Sequence, residues 1–469
     1  MDHATTAPFT TATRARPHRP WSWALPVCAL ALLSACGGSS HTTAAPVAPG
    51  APTALSYDTE QALYVVGESI TPNTARLTGD SGTATFAATP ALPGGLSLDT
   101  RTGLITGTPT TLQRQTAYTV TASNGGGAAQ TQLRFTVTGR GAWSATATIP
   151  GARHYATLSP LAGGKLLVAG GQLAGGPTDS AYVYDPLTAT WGAAANMLVE
   201  RADPMSVVLL DGRVLVFGGD TAGNLTTATA EIYDPVADTW TATGSMTSAR
   251  TRPTATVLAD GKVLVTGGYE RTPATVFHNT AELYNPATGT WTQLPTPLSA
   301  ARTQHAAALL PGGNTLLLVG GVNSLGYVAS AELYTVDGTS TTVIPYSGAG
   351  NVHVAAQLDD DSVLVINDTS TTAWRFNPGT TTWTPSTMNA TRLLPTMTVL
   401  ADGRVLLAGG TNLNTAEIYN PDVNRWTTAT PMAAVRRAAV AALLGDGSVL
   451  VVGGFSGAGE VNGTERYTP

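Results

Sequence analysis

The chain has 469 residues, 24 Lys and Arg against 30 Asp and Glu for a net charge of −6, and 12% charged beside 43% hydrophobic residues. No basic stripe is available to neutralise phosphates, which argues against nucleic acid as a partner. The 51 Gly and 30 Pro give the turn density of an all-β chain rather than a helical one, and the length leaves room for more than one domain.

At the N-terminus Arg14, Arg16 and Arg19 precede an apolar stretch from Trp21 to Ala35. That charged-then-apolar order is the order of a secretory signal, and the stretch is too short to span a bilayer comfortably. It ends in Leu33-Ser34-Ala35-Cys36, which resembles the lipobox of bacterial lipoproteins. The resemblance implies removal of 1–35, diacylation of Cys36 as the first residue of the mature protein, and a membrane partner reached through that lipid. An ordinary signal with an incidental Cys, or an uncleaved anchor, is the alternative. Gly37 stands where an Asp often retains such proteins in the inner membrane, so the resemblance points to the bacterial cell envelope and its outer membrane. Residues 36–52, rich in Gly, Ser, Ala, Pro and Thr, read as a flexible tether.

From 53 to 139 short runs alternate apolar and polar residues, as in "TAYTVTASN" and "QLRFTVTG", the period of half-buried strands. The stretch from Pro90 to Thr110, "PALPGGLSLDTRTGLITGTPT", followed by "YTVTASNGGG", resembles the Ig-like, cadherin-like modules of bacterial surface proteins. That implies a small β-sandwich serving as a spacer or adhesion module. Members of the wider superfamily bind calcium through clustered acidic residues, but here Asp58, Glu60, Glu68, Asp80 and Asp99 are scattered; calcium in this unit stays open without support, and no other cofactor is read from the sequence.

From 141 to 469 one phrase recurs with a period of roughly forty-three to fifty-three residues. Its first half is a hairpin ending in small residues, as in "DGRVLVFGG" to Gly219 and "DGKVLVTGG" to Gly268. Asp-Gly supplies a tight turn, and the short Val/Leu run after it reads as a buried strand. The second half, "AEIYDPVADTW" to Trp240 or "AEIYNPDVNRW" to Trp426, sets an aromatic before Asp-Pro or Asn-Pro, which starts a turn, and a Trp on the returning strand. These motifs resemble the kelch-repeat propeller. Hairpin ends fall at Gly171, Gly219, Gly268, Gly321, a degenerate Ile366-Asn367, Gly410 and Gly454, so the fold expected is all-β, a seven-bladed kelch-type propeller preceded by the Ig-like sandwich.

The last repeat ends at "GTERYTP" before any Trp, while Trp143 stands ahead of the first hairpin with nothing of its own to close. The segment around Trp143 is therefore expected as the outer strand of the last blade, closing the ring and removing two exposed edges. Arg153, Arg201, Arg250, Arg302, Arg392 and Arg436 open first strands, and Glu231, Glu282, Glu332, Glu417 and Glu465 lie in third strands. Blade five has lost both members, with Gly350 and Trp374 in their places, and blade one has Tyr182 opposite its Arg. Joint loss points to buried pairs that satisfy each other rather than a ring of catalytic carboxylates.

Kelch propellers also include galactose oxidase and sialic-acid-isomerising enzymes. The copper-radical chemistry of the first needs two His, two Tyr and a Cys crosslinked to one Tyr. The only cysteines are Cys28, inside the signal, and Cys36, which argues against that mechanism and excludes disulfides in the mature chain. His305 and His353 fall at equivalent positions of adjacent blades and are candidate ligand-binding residues near the channel mouth, beside ordinary channel-lining roles; His154 is at a neighbouring register. In blade five Trp374 with Asp359-Asp360-Asp361 is read either as an exposed sugar or cation platform or as a decayed repeat. The function expected is a lipid-anchored, non-enzymatic binding, adhesion or scaffold protein presenting propeller loops to a protein or glycan. The alternative is an enzyme acting on carbohydrate at the channel mouth without the copper radical.

Overall fold

In a computed structural model residues 50–79, 84–271, 274–348 and 352–469 are described; the signal, Cys36 and nearly all of the tether lie outside them. The chain divides into one unit ending at Val137 and another running from Thr138 to Pro469.

In the first unit a four-stranded antiparallel sheet orders Gln61–Val65, Gly127–Thr138, Gln113–Asn124 and Thr85–Thr89, with two-stranded sheets Ala54–Tyr57 with Ala75–Thr78 and Leu96–Leu98 with Ile105–Gly107. Alternation dictates its core: Tyr118, Val120 and Ala122 are fully buried on one face and pack with Leu133, Phe135 and Ile105. Asp58 is held by Arg76 at 2.7 Å, and Asp99 accepts the backbone N–H groups of Arg101 and Thr102. Two of the five scattered acids are thus explained by local structure.

Among the described residues of the second unit are seven four-stranded sheets. In blade two, for example, Met205–Val208, Val214–Phe217, Ala230–Asp234 and Thr239–Thr243 run in sequence from the inside out. First strands neighbour one another from blade to blade, and that of blade seven neighbours that of blade one, so the ring closes. Second strands are the core: Val214, Leu215, Val216 and Phe217 are fully buried, each such side chain stabilising by about 1.5–3 kcal/mol. The Gly-Gly that ends them is a packing requirement, because a Cβ on Gly218 would lie 2.3 Å from the Arg250 carbonyl oxygen of the next blade.

Blade seven takes Ala142–Thr146 as its outer strand, pairing Trp143 with Tyr467. The same aromatic–Trp pairing recurs at Tyr184–Trp191, Tyr233–Trp240, Tyr284–Trp291, Phe376–Trp383 and Tyr419–Trp426. Blade four alone sets Thr341 across from its Tyr334. One register differs from the sequence reading. Ile366 pairs with Ala373 as Val319 pairs with Ala331, so Asn367-Asp368, not Ile366-Asn367, stands where the other blades have Gly-Gly.

Candidate functional site

The Arg–Glu pairs build the frame on which the channel mouth is set. Arg201–Glu231, Arg250–Glu282, Arg302–Glu332, Arg392–Glu417 and Arg436–Glu465 lie at 3.1, 2.8, 2.8, 2.9 and 2.6 Å, all buried. Nη1 of each Arg also donates to the carbonyl of the first glycine of its own blade, Gly218, Gly267, Gly320, Gly409 or Gly453. The second carboxylate oxygen accepts a backbone N–H, from Leu198, Thr247, Ser299, Asn389 or Ala433. Every lone pair this satisfies is one that burial would otherwise penalise. In blade one Arg153 lies over the Tyr182 ring at 5.1 Å, a cation–π contact replacing the ion pair.

Two residues past each of these arginines the chain turns into the first strand. Tyr155, Asp203, Arg252, Gln304, Leu394 and Ala438 occupy that position with φ of 54, 53, 58, 59, 60 and 51°. None is glycine, so each carries the cost of the left-handed region. Backbone bonds join them around the axis: Tyr155 N–H to Ala438, Asp203 to Tyr155, Gln304 to Arg252, Ala438 to Leu394. This ring at the start of the innermost strands is the channel mouth on the face of the loops that enter first strands.

On one side of the mouth charged and aromatic groups interlock. Arg252 binds Asp203 at 2.8 Å and lies over the Tyr155 ring at 5.2 Å. Burial pushes the Asp203 carboxyl up, against the pull of Arg252. His154 packs at a tilt against Tyr155, with ring centres 4.4 Å apart, and against Phe455 at 5.4 Å, with Nδ1 3.9 Å from Glu460; Arg437 covers Phe455. Arg271 meets Asp220 at 2.7 Å and lies over Tyr269, which stacks on Phe277. The column continues with apolar residues at Leu394 and Ala438, both buried. Sequence reasoning missed this arc because its members are some fifty residues apart; the column two residues after each repeat Arg finds Tyr155, Asp203 and Arg252, and the positions just after the Gly-Gly ends find Asp220, Arg271 and Phe455.

His305 is not in the mouth. It is buried between blades three and four, its Nε2 2.9 Å from Thr266 Oγ1 and 3.2 Å from Thr254 Oγ1. Burial, with Arg302 beside it, holds the imidazole well below its ordinary range. His353 immediately precedes Val354 as His305 precedes Ala306, but it lies in a bulge between Val352 and Val354, and its side chain is outside the described residues. Trp374 is half-buried rather than exposed, packed on the blade-four and blade-five core with Tyr346 at 6.3 Å. Asp360 of the acidic turn is bound by Arg375 and Ser362. Among the described residues no three His, Cys, Asp or Glu gather to hold a metal ion.

The buried histidines set an acid limit on stability. His305 stays neutral when folded and His278 is held down to about 4, chiefly by burial, whereas unfolded imidazoles take up protons below about pH 6.5. The unfolded state thus binds more protons as pH falls, and stability declines below about 6.5 by up to ~1.4 kcal/mol per pH unit for each. Urea midpoints at pH 7.5 and 5.5 should show this loss in the wild type and roughly half of it in His305→Gln; equal losses would contradict the assignment.

Comparison with known families places both units. Residues 46–139 match the family described as "Putative Ig domain", and 159–198, 202–247, 250–298 and 398–433 match the family described as "Kelch motif". A search of curated proteins gives no match. Among solved structures the chain is similar to a "Novel fungal alcohol oxidase with catalytic diversity among the AA5 family, in complex with copper", with 19% identity, a TM-score of 0.59, and 70% of this chain and 76% of that one covered. At that identity the likeness speaks for the fold alone. The chain is a kelch-motif β-propeller protein with an Ig-type domain ahead of the propeller.

Proposed function

We propose that this is a lipid-anchored binding or scaffold protein of the bacterial cell envelope, held in the outer membrane through Cys36, whose propeller takes a protein or glycan at its loop-face mouth without chemistry. The observation that carries the reading is the mouth arc. Its buried charges Asp203 and Arg252 are spent on each other, while Tyr155 and Phe455 remain half-buried beside the axis, the make-up of a rigid recognition surface. Leu33-Ser34-Ala35-Cys36 supports the anchor, and the Ig-type unit is read as its spacer.

The copper named for the fungal oxidase has no part in this reading. Among the described residues the imidazole at the mouth, His154, is packed between two rings and faces Glu460, and His305 is turned into a blade interface. These positions do not fit a centre built on two imidazoles.

A glycan and envelope-protein array probed with the full chain tests the binding claim. Tyr155→Ala with Phe455→Ala should abolish the signal of any ligand found, and Leu187→Ser, in an exposed turn at the opposite end of blade one, should leave it; the reverse pattern would overturn the reading. Cys36→Ser should move the protein out of the membrane fraction, and retention there would put the anchor elsewhere.

A further inference from the structure

Arg271 differs from the other mouth arginines in what it leaves free. It follows the strand Tyr269–Glu270, which pairs with Val276–Phe277 in a hairpin rising from blade three. Three contacts fix it. Its backbone N–H donates to Thr226 Oγ1 at 3.1 Å, its Nε donates to Asp220 Oδ2 at 2.7 Å, and its guanidinium lies 5.3 Å from the centre of the buried Tyr269 ring. Asp220 is itself held by Thr226 through its other oxygen. The two terminal amino groups make no bond among the described residues, and the side chain is 36% exposed. A guanidinium whose side edge is occupied presents its end edge as a planar fork, already ordered, which is the geometry that binds a planar oxyanion bidentately.

Resting on the loop-face reading above, we propose that Arg271 is the anchor for the carboxylate of an acidic sugar, so that the propeller recognises a uronate-bearing glycan. The charge balance selects a single negative charge. Asp220 and Asp203 lie close enough to feel each other and Arg271, so a dianionic phosphate meets more repulsion than a carboxylate does. Sugar rather than peptide is favoured by the flat groups of this face: Phe277 stacked on the Tyr269 ring that Arg271 covers, and Tyr155 under Arg252. These offer apolar faces to the C–H face of a pyranose ring while the fork takes its acid.

Calorimetry of the full chain in detergent with a galacturonate oligosaccharide, its neutral methyl ester and poly-glutamate tests this. The acid oligosaccharide should bind, and Arg271→Ala should weaken it about ten- to a hundredfold, the worth of a charge-assisted pair. Arg271→Lys should restore only part, since a point charge lacks the fork. The ester should bind the wild type no better than the acid binds Arg271→Ala. Arg271→Ala leaves the buried Asp220 to Thr226 alone and should lower the melting temperature, whereas Arg271→Lys keeps a counter-charge beside it; binding is therefore compared well below both transitions. Equal binding of acid and ester, or of wild type and Arg271→Ala, would overturn the carboxylate anchor and leave the loop-face reading standing. Tighter Arg271-dependent binding of poly-glutamate would overturn the sugar class. No binding of either oligosaccharide would overturn this inference, and the loop-face reading would then rest on the Tyr155/Phe455 array result.

Discussion

Glu282→Ala should destabilise the propeller by about 3–5 kcal/mol, the cost of leaving a buried guanidinium without its counter-ion. Both Arg250 and Glu282 are fully buried, Glu282 Oε1 accepts Nε and Nη2 of Arg250 at 3.0 and 2.8 Å, and Oε2 accepts the Thr247 N–H. The single substitution orphans a charge and an amide at once. Replacing the pair together, Arg250→Met with Glu282→Leu, should cost less, because no charge is left behind, though the Gly267 and Thr280 carbonyls lose their donor. Blade five is the chain's own version of that exchange: Trp374 occupies the Glu position and packs on Tyr346 and the apolar core. Urea denaturation of the three proteins decides it. A double variant as unstable as Glu282→Ala would mean that the pair contributes chiefly through its bonds to backbone rather than through mutual neutralisation.

Trp143→Ala should cost about 2–3 kcal/mol, below the range for a fully buried ring because Trp143 is half-buried, and Ser144→Pro tests the same strand through its backbone. The Trp143 ring lies 5.0 Å from that of Tyr467 and its Nε1 donates to the Thr430 carbonyl at 2.8 Å, while Tyr467 Oη donates to the Arg140 carbonyl. This strand joins the two ends of the propeller and covers the outer edge of Thr464–Thr468, so its loss opens that edge. The expected result is a melting temperature lower by several degrees for Trp143→Ala and lower also for Ser144→Pro. Unchanged melting curves would mean that the ring does not depend on this seam.

The architecture was legible because its devices are local. Asp-Gly turns, Gly-Gly stops, and an aromatic seven residues before a Trp each act within one blade, so spacing alone places them. The Arg–Glu pairs were legible because five repeats keep both members and blade five loses both. The register slip at Asn367-Asp368 came from a blade whose Gly-Gly is gone, where only strand pairing identifies the position. His305 was misread for a geometric reason: the residue three past the repeat Arg points into the neighbouring blade, where Thr254 and Thr266 meet it, while the residue two past it faces the axis. Of the two readings of Trp374 the packing favours the decayed repeat over the exposed platform, because a lost charge pair leaves apolar volume that a large ring fills. The mouth arc was not legible as a cluster, since Asp203, Arg252, Asp220 and Arg271 meet only after the ring has closed and each blade contributes a different residue type.

Amide hydrogen exchange of the full chain, with and without the tightest ligand from the array, tests most directly whether function sits at the loop-face mouth. Ligand addition should slow exchange at 154–155, 202–203, 251–252 and 455–460. Protection confined instead to the turns around Leu187 and Val236, at the other end of the blades, or to the strand carrying Trp374, would contradict a site at that mouth.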